Sequence, residues 1–321
     1  WRATVLTVGL ALCAGPVAAT ESSPPANTGS EVPRQASGDV VQSARDSLRS
    51  TTEWLARSVD SWFGDRPFDD GGEVRNGEFR IRLYLREGHS PDLDARFKAS
   101  FRLPNLEQFG AQLFVGRDDP REVVSDQPTG VARQQPLRDE TRRRDSFFAG
   151  LGLSANGRVD ARIGLRGGPK PYAQVRYRKV WDLGPSDSIH FRETFFWSQE
   201  DRFGSTTALS YEHDFSPTLV GRWLNAATIT QRSKRFEWSS NLGLYRSFGD
   251  QRLLSMEALF RGREGGGVNL EEYGLQASWE QPLRQDWLLG ELSLGHFRER
   301  ENAALPRQGQ WALGLAVKIR F

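Results

Sequence analysis

A strict alternation of apolar and polar residues, repeated in segment after segment, constrains this chain more than any other feature. The last segment shows it most plainly, with Trp311, Leu313, Leu315, Val317, Ile319 and Phe321 alternating with Ala312, Gly314, Ala316, Lys318 and Arg320. Successive side chains of a strand point to opposite faces, so each such segment is predicted to be a strand with one apolar and one polar face. The sequence contains no run of about 18 apolar residues, which excludes a helical membrane span.

Fourteen such segments follow one another along the chain. They lie near residues 78–86, 92–103, 108–117, 146–154, 158–167, 171–183, 187–199, 204–214, 218–231, 234–247, 251–262, 269–280, 286–298 and 309–321. Every second connection is tight and rich in turn residues, as at Asn156-Gly157 and Ser216-Pro217, whereas the connections between them are mostly longer and more charged.

This combination is the signature of a transmembrane β-barrel, in which short periplasmic turns alternate with longer external loops, here including residues 117–145. The sequence therefore predicts an all-β fold for residues 71–321, a transmembrane antiparallel up-and-down β-barrel of about 14 strands. A soluble β-sandwich is the alternative, but it would have shorter strands and fewer Arg residues at the alternate positions.

The first 70 residues differ in composition and predict three further segments. Residues 1–19 combine Arg2, an apolar run and the small-x-small sequence Val17-Ala18-Ala19, the pattern of a cleavable signal peptide. Residues 20–39 are rich in Ser, Pro, Thr and Gly and are predicted to form a disordered linker. Residues 40–70 contain an amphipathic helix, whose apolar stripe must be buried in a barrel lumen, on a membrane or against a partner. The pattern does not choose among these.

The C-terminal segment resembles a known signal. Residues 310–321 end in Phe321 and carry apolar residues at every second position, which resembles the C-terminal assembly signal of Gram-negative outer-membrane β-barrel proteins. The strand count resembles that of monomeric fourteen-stranded porins, although the leading helix departs from their simple pattern. The resemblance implies an outer-membrane location, contact with outer-membrane lipid and lipopolysaccharide, and recognition by the barrel-assembly machinery. The residues it assigns to that signal are Trp311, Leu313, Leu315, Val317, Ile319 and Phe321.

The face opposite the apolar one is segregated by sign. A predicted basic wall of the lumen consists of Arg80, Arg82, Arg96, Lys98, Arg158, Arg162, Arg176 and Arg178. A predicted acidic wall consists of Glu212, Glu237, Glu257, Glu272 and Glu291. Two opposed walls would create a transverse field, and charged walls and rings set the selectivity of pores. The same charges would also suit a lumen held shut by Arg–Glu pairs.

Three functions remain compatible with these residues. The first is a porin-like outer-membrane channel that passes small hydrophilic solutes through the charge-segregated lumen. The alternative is a plugged barrel with a binding or envelope-assembly role. An outer-membrane lipid hydrolase is the third, but none of the four histidines lies in a nucleophile motif.

Cofactors and nucleic acid are not predicted. No histidine pair has metal-ligand spacing, and the only cysteine is Cys13, within the predicted signal peptide. The mature chain would then contain no cysteine, which suits an oxidising envelope compartment. The net charge of +2 gives no indication of binding to a polyanion such as nucleic acid.

Three polar residues interrupt the predicted lipid face. Alternation places Lys179, Glu193 and Asn225 outward, and it predicts that Lys179 and Glu193 lie nearly opposite each other across a tight turn. A charge facing lipid costs about 2–4 kcal/mol at the midplane for Lys. Either a β-bulge turns these residues away from lipid, or this face contacts a second copy or another protein.

Overall fold

The computed structural model describes residues 42–43, 45–47, 49–50, 53, 73–104, 111–128, 137, 146–155, 157–249, 251–265, 268–284, 286–300, 304 and 306–321. The predicted signal peptide at 1–19, the predicted linker at 20–39 and most of the predicted helical segment at 40–70 lie outside the described residues.

Fourteen strands form one closed antiparallel barrel, as the alternation predicts. The strands are β1 (Glu73–Arg86), β2 (Asp92–Arg102), β3 (Ala111–Asp118), β4 (Ser146–Ala155), β5 (Val159–Arg166), β6 (Lys170–Asp182), β7 (Asp187–Ser198), β8 (Arg202–Ser216), β9 (Leu219–Thr230), β10 (Phe236–Ser247), β11 (Leu253–Arg263), β12 (Glu272–Pro282), β13 (Leu288–Glu299) and β14 (Gln308–Arg320). Each strand pairs with its neighbours in sequence, and β1 pairs with β14 from Glu78–Arg320 to Arg86–Ala312. Closure satisfies every sheet edge, which is what a sheet in a bilayer requires.

The exterior of the barrel is apolar. Its exposed large side chains include Ile163, Phe195, Leu275, Leu294 and Trp311. The inward positions of the same strands carry polar and charged side chains, such as Arg96 on β2 and Glu257 on β11. An apolar belt around a closed antiparallel barrel defines the chain as a transmembrane β-barrel of the bacterial outer membrane.

The two ends of the barrel differ in their connections. We call the end that carries the connections after even-numbered strands the turn end; it corresponds to the periplasmic side of such barrels. The opposite end, the loop end, carries the β3–β4 connection. The sequence predicted residues 117–145 as an external loop. In the structure, Asp118 still pairs with Ser146 at the strand ends, but residues 123–125 and Leu137 are buried, and Asp126 contacts inward side chains. That prediction is corrected for these described residues.

Helical residues precede the barrel at positions 42–43, 45–47, 49–50 and 53. Arg49 and Glu53 form a salt bridge of 3.0 Å one turn apart. The Arg45 guanidinium donates to the carbonyl oxygen of Arg320 at 3.3 Å and stacks on Trp287, with 5.1 Å to the ring centre. This part of the helix therefore contacts the turn end of the barrel.

No helix within the described residues has both the length and the apolar character needed to cross a membrane.

The polar exceptions on the exterior are not hidden by a bulge. The pairing of β6 with β7 and of β9 with β10 is continuous, and the one register shift on β8 lies between Asp214 and Ser216. Lys179, Glu193 and Asn225 consequently point outward, which rules out the bulge explanation. The predicted juxtaposition of the two charges is off by one pair, because Lys179 pairs with Phe191 and Glu193 with Tyr177.

Candidate functional site: the barrel lumen

The β3–β4 connection is bound to the inner wall at Asp126. Its carboxylate accepts hydrogen bonds from Arg176 at 3.0 Å and Thr194 at 3.0 Å, and the Arg192 guanidinium lies 3.1 Å from it. Arg192 also donates to the Asp126 carbonyl oxygen at 3.1 Å. Asp126 has φ = 54°, a left-handed conformation that is uncommon for a residue other than glycine. Three hydrogen bonds and one ion-pair contact from β6 and β7 hold Asp126 in place.

Apolar contacts support the same part of the connection. A one-turn helix, Pro120–Val123, follows β3, and Val123 and Val124 pack in a buried cluster with Phe148, Tyr172 and Phe196. These three rings occupy inward positions of β4, β6 and β7, where an open pore would expose them to water. Burial of apolar area therefore adds to the ionic contacts in keeping this segment inside.

A second anchor lies on the far side of the lumen. The Tyr84 hydroxyl donates to the Leu137 carbonyl oxygen at 2.9 Å, and the Leu137 amide donates to Gln276 Oε1 at 2.5 Å. Tyr84 lies on β1 and Gln276 on β12, whereas Asp126 contacts β6 and β7. The described residues of the connection thus contact two opposite walls of the barrel.

Many cations of the predicted basic wall are paired with carboxylates. Arg80 contacts Glu78 at 2.8 Å. Arg96 contacts Asp94 at 2.8 Å and Asp118 at 2.9 Å, while Lys98 contacts Asp118 and, at 3.2 Å, Glu122. The remaining ion pairs are Arg176–Asp126 and Arg176–Asp160 at 3.0 and 3.4 Å, and Arg178–Asp160 at 2.6 Å. Arg158 lies in the turn before β5 and is exposed.

Besides the exposed Arg158, two cations of that wall, Arg82 and Arg162, have no ion pair and no side-chain hydrogen bond among the described residues. Arg82 is buried on β1, and its guanidinium stacks on Tyr84 with 5.7 Å to the ring centre. Arg162 on β5 stacks on Phe114 at 5.0 Å. Cation–π contacts hold both groups but leave their N–H edges without acceptors.

The glutamates of the predicted acidic wall are also engaged. Their contacts are Glu212–Arg222 at 2.9 Å, Glu237–Arg263 at 3.3 Å, Glu257–Tyr245 at 2.8 Å, Glu272–Arg86 at 3.3 Å, Glu272–Arg261 at 2.7 Å and Glu291–Lys318 at 2.5 Å. Glu257 and Glu272 are almost inaccessible to solvent, with 2% and 1% of their surface exposed. Pairing within each wall reduces the transverse field that the signs alone would give.

Accessible space remains on the β2–β6 side. A cavity of about 510 Å³ lies there, lined by Lys98, Ser100, Gln112, Phe114, Asp118, Glu122, Ser154, Asp160, Arg162, Arg176 and Arg178 among others. A second cavity, of about 470 Å³, lies near the turn end between Glu212, Arg222 and Tyr245. Both are lined largely by the inward, polar faces of the strands.

The inner wall also places a serine, a histidine and a glutamate together. Ser188 Oγ lies 3.1 Å from His190 Nε2, and Glu212 Oε1 lies 3.4 Å from the same nitrogen. In a hydrolytic triad the imidazole contacts the nucleophile and the acid through different nitrogens. This geometry does not match one. Within the described residues, no group of three His, Cys, Asp or Glu side chains has the arrangement of a metal site.

The predicted assembly-signal residues on β14 all face outward, and Phe321 follows the last residue of that strand. Trp311, Leu315 and Val317 are exposed, and the Phe321 ring stacks on Phe97 with 6.2 Å between ring centres. Phe321 exchanges two backbone hydrogen bonds of 3.0 Å with Gly77 on β1. The C-terminal residue therefore takes part in barrel closure.

No family model and no curated protein matches the chain. Solved structures with a similar fold include an anion-selective porin from Comamonas acidovorans, with 9% identity, a TM-score of 0.43 and coverage of 78% of this chain and 100% of that one. The outer-membrane channel DcaP of Acinetobacter baumannii has 9% identity, a TM-score of 0.45 and coverage of 78% and 98%. The outer-membrane protein OmpT of Vibrio cholerae has 11% identity, a TM-score of 0.45 and coverage of 78% and 98%. Likenesses this distant carry no argument about function.

Proposed function

We propose that the chain is a non-enzymatic, porin-like channel that passes small hydrophilic solutes along the β2–β6 side of its lumen. The observation that carries this proposal is the polar cavity of about 510 Å³ beside the inward β3–β4 connection. Its volume falls within the range of about 300–1,000 Å³ that holds small molecules. Glu122 and Val123 of the connection line this cavity, so solutes on this route would pass beside them.

Planar-bilayer recording with the purified full-length barrel tests the proposal. We expect discrete conductance steps that small neutral solutes reduce when they enter the lumen. Folded protein that inserts without any conductance contradicts the channel.

Neutralising part of the basic wall is expected to shift ion preference toward cations. In R82Q/R96Q/R162Q, three inward positive charges are lost, and the carboxylates that Arg96 contacts lose a counter-charge. The reversal potential in a salt gradient should move in the cation-selective direction. The control R117Q/R246Q/R284Q removes the same charge from exposed residues outside the lumen. Equal shifts of the reversal potential in both variants would contradict a role of the basic wall in ion selectivity.

A plugged barrel with a binding or envelope-assembly role is the second candidate. The contacts of Asp126 and Leu137 with opposite walls of the lumen favour it, as do the buried inward side chains on β11 and β12. The two candidates differ in the conductance of the unmodified protein and in the effect of removing the connection.

We also propose a second copy of the chain as the partner of the outward surface on β6–β9. Glu193 accepts hydrogen bonds from Ser205 and, at 2.6 Å, from Thr207, and Lys179 stacks on Trp181 at 4.8 Å. A charge of each sign lies on one outward surface, which allows a two-fold interface to place Lys179 of one copy against Glu193 of the other.

The variant K179L/E193L tests this surface. Removing both charges is expected to weaken an oligomer in mild detergent, as measured by light scattering after size-exclusion chromatography. L209K, an added charge on the adjacent outward position of β8, should weaken it as well. A wild-type protein that is monomeric at all concentrations contradicts the interface.

A further inference from the structure

Among the described residues that line the cavity on the β2–β6 side, one cation forms no ion pair. Lys98, Arg176 and Arg178 line it and each contacts a carboxylate, at 3.2 Å from Glu122, 3.0 Å from Asp126 and 2.6 Å from Asp160 respectively. Arg162 lines the same cavity, and among the described residues no carboxylate forms an ion pair with it and no acceptor binds its N–H groups, while the charges of Asp126 and Asp160 act on it from farther away. An anion that enters the cavity could therefore pair with Arg162.

Neighbouring residues on β3 and β4 determine the position of the Arg162 guanidinium. Gly152 is its pairing partner on β4, and Gly150 lies two residues earlier on the same inward face. A Cβ at Gly152 would lie 3.0 Å from the Phe114 ring, and one at Gly150 would lie 2.9 Å from it. The absence of both side chains lets the ring of Phe114 lie against β4, where the guanidinium of Arg162 stacks on it at 5.0 Å.

We propose that Arg162 anchors an oxyanion-binding subsite that takes the carboxylate or phosphate group of a small solute in the lumen. Stacking covers a face of the guanidinium and fixes its plane, while its N–H edges stay available. A guanidinium edge forms two parallel hydrogen bonds with an oxyanion, which a lysine ammonium does not reproduce. The hydroxyls of Ser100 and Ser154 and the amide of Gln112 line the cavity for the polar remainder of the solute.

This subsite deepens the proposed channel, because it lies on the route assigned to solutes. The subsite can be tested separately from the channel, because equilibrium binding to the folded barrel does not require conduction. Binding without conductance would leave the subsite standing and contradict the channel. Conductance without binding would contradict the subsite and leave the channel standing.

Isothermal titration calorimetry of the full-length barrel in detergent tests the subsite, with sodium benzoate and sodium phosphate as probes at constant ionic strength set by chloride. We expect saturable binding of at least one probe with one site per chain. R162Q should weaken it about 10-fold or more, as the loss of a charge-assisted hydrogen bond implies. R162K keeps the charge but loses the fork, so it should also bind more weakly than the wild type.

R178Q is the matched control, because Arg178 lines the same cavity and the substitution makes the same change in charge. Its Asp160 partner keeps Arg176, and binding should change less than about threefold if the subsite depends on geometry.

G152A keeps every charge but crowds Phe114, and it should weaken binding of the probes too. Benzoate binding alone assigns a carboxylate, and phosphate binding alone assigns a phosphate. Equal losses in R162Q and R178Q, or no binding of either probe to the wild type, would overturn the proposal.

Discussion

Replacing residues 120–144 with a short Gly-Ser turn is expected to raise the single-channel conductance several-fold. The β3–β4 connection touches β6 and β7 through Asp126 and the opposite wall through Leu137, so it occupies cross-section that ions would use. The deletion is compatible with the barrel, because Asp118 and Ser146 already pair as the last residues of a hairpin. Hydrogen bonds and packing hold the connection inside, and its removal leaves a polar wall that water can fill.

The variant D126N tests whether the attachment of the connection to the inner wall, and not only its presence, limits conductance. It keeps the chain length but removes the charge that Arg176 and Arg192 contact. We expect an intermediate conductance or frequent transitions between two levels. Unchanged conductance after the deletion would show that ions do not pass the connection. A wild type that is silent and a deletion variant that conducts would establish the plugged barrel.

The strands and their faces could be predicted from the sequence, because alternation is a local property. The period of two, together with turn residues such as Asn156-Gly157, predicts which residues face lipid and which face the lumen. The structure keeps this register through Lys179, Glu193 and Asn225. Strand boundaries needed only small adjustment, the largest at β1, which begins at Glu73 rather than near 78.

The inward course of the β3–β4 connection could not be predicted in this way. Its charged composition is the same for an external loop and for a segment that pairs with a charged lumen. The contacts that decide between them join Asp126 to Arg192 and Leu137 to Gln276, residues far apart in sequence. Such pairing becomes visible only when the closed barrel brings the strands to opposite sides of the same space.

The neutralisation of the basic wall did leave a signal in the sequence. Asp94 and Asp160 lie two residues from Arg96 and Arg162, on the same face of the same strands. The predicted walls were defined by Arg, Lys and Glu residues and did not include these two aspartates. Alternation brings side chains at i and i+2 together, so aspartates at that spacing predict local pairing rather than a wall of one sign. The pairing leaves Arg82 and Arg162 as exceptions, and for Arg162 the reason is that Asp160 contacts Arg176 and Arg178 instead.

Lys318→Met is expected to destabilise the barrel by about 3–5 kcal/mol, the cost of breaking a buried ion pair. Lys318 lies on β14 with 1% of its surface exposed, and its ammonium is 2.5 Å from both Glu280 and Glu291. Methionine fills a similar volume but removes the cation between two buried carboxylates. Urea titration of the folded barrel in lipid vesicles, followed by tryptophan fluorescence, measures the change in the free energy of unfolding.

Lys170→Met makes the same substitution in an exposed ion pair. Lys170 lies 2.6 Å from Glu200 in the β7–β8 loop, and its hydrogen bond, with the charge of Arg166, holds the Glu200 pKa below its ordinary value. Both side chains of this pair are substantially exposed, so its loss should cost less than about 1 kcal/mol. Similar effects of K318M and K170M would contradict the burial argument. The triple variant K318M/E280Q/E291Q should regain part of the lost stability, because it removes the uncompensated charge together with its partner. The loss of stability in K318M would then arise from the two buried carboxylates that remain without a cation. Lys318 therefore stabilises the barrel by compensating both charges beside the strand that closes it.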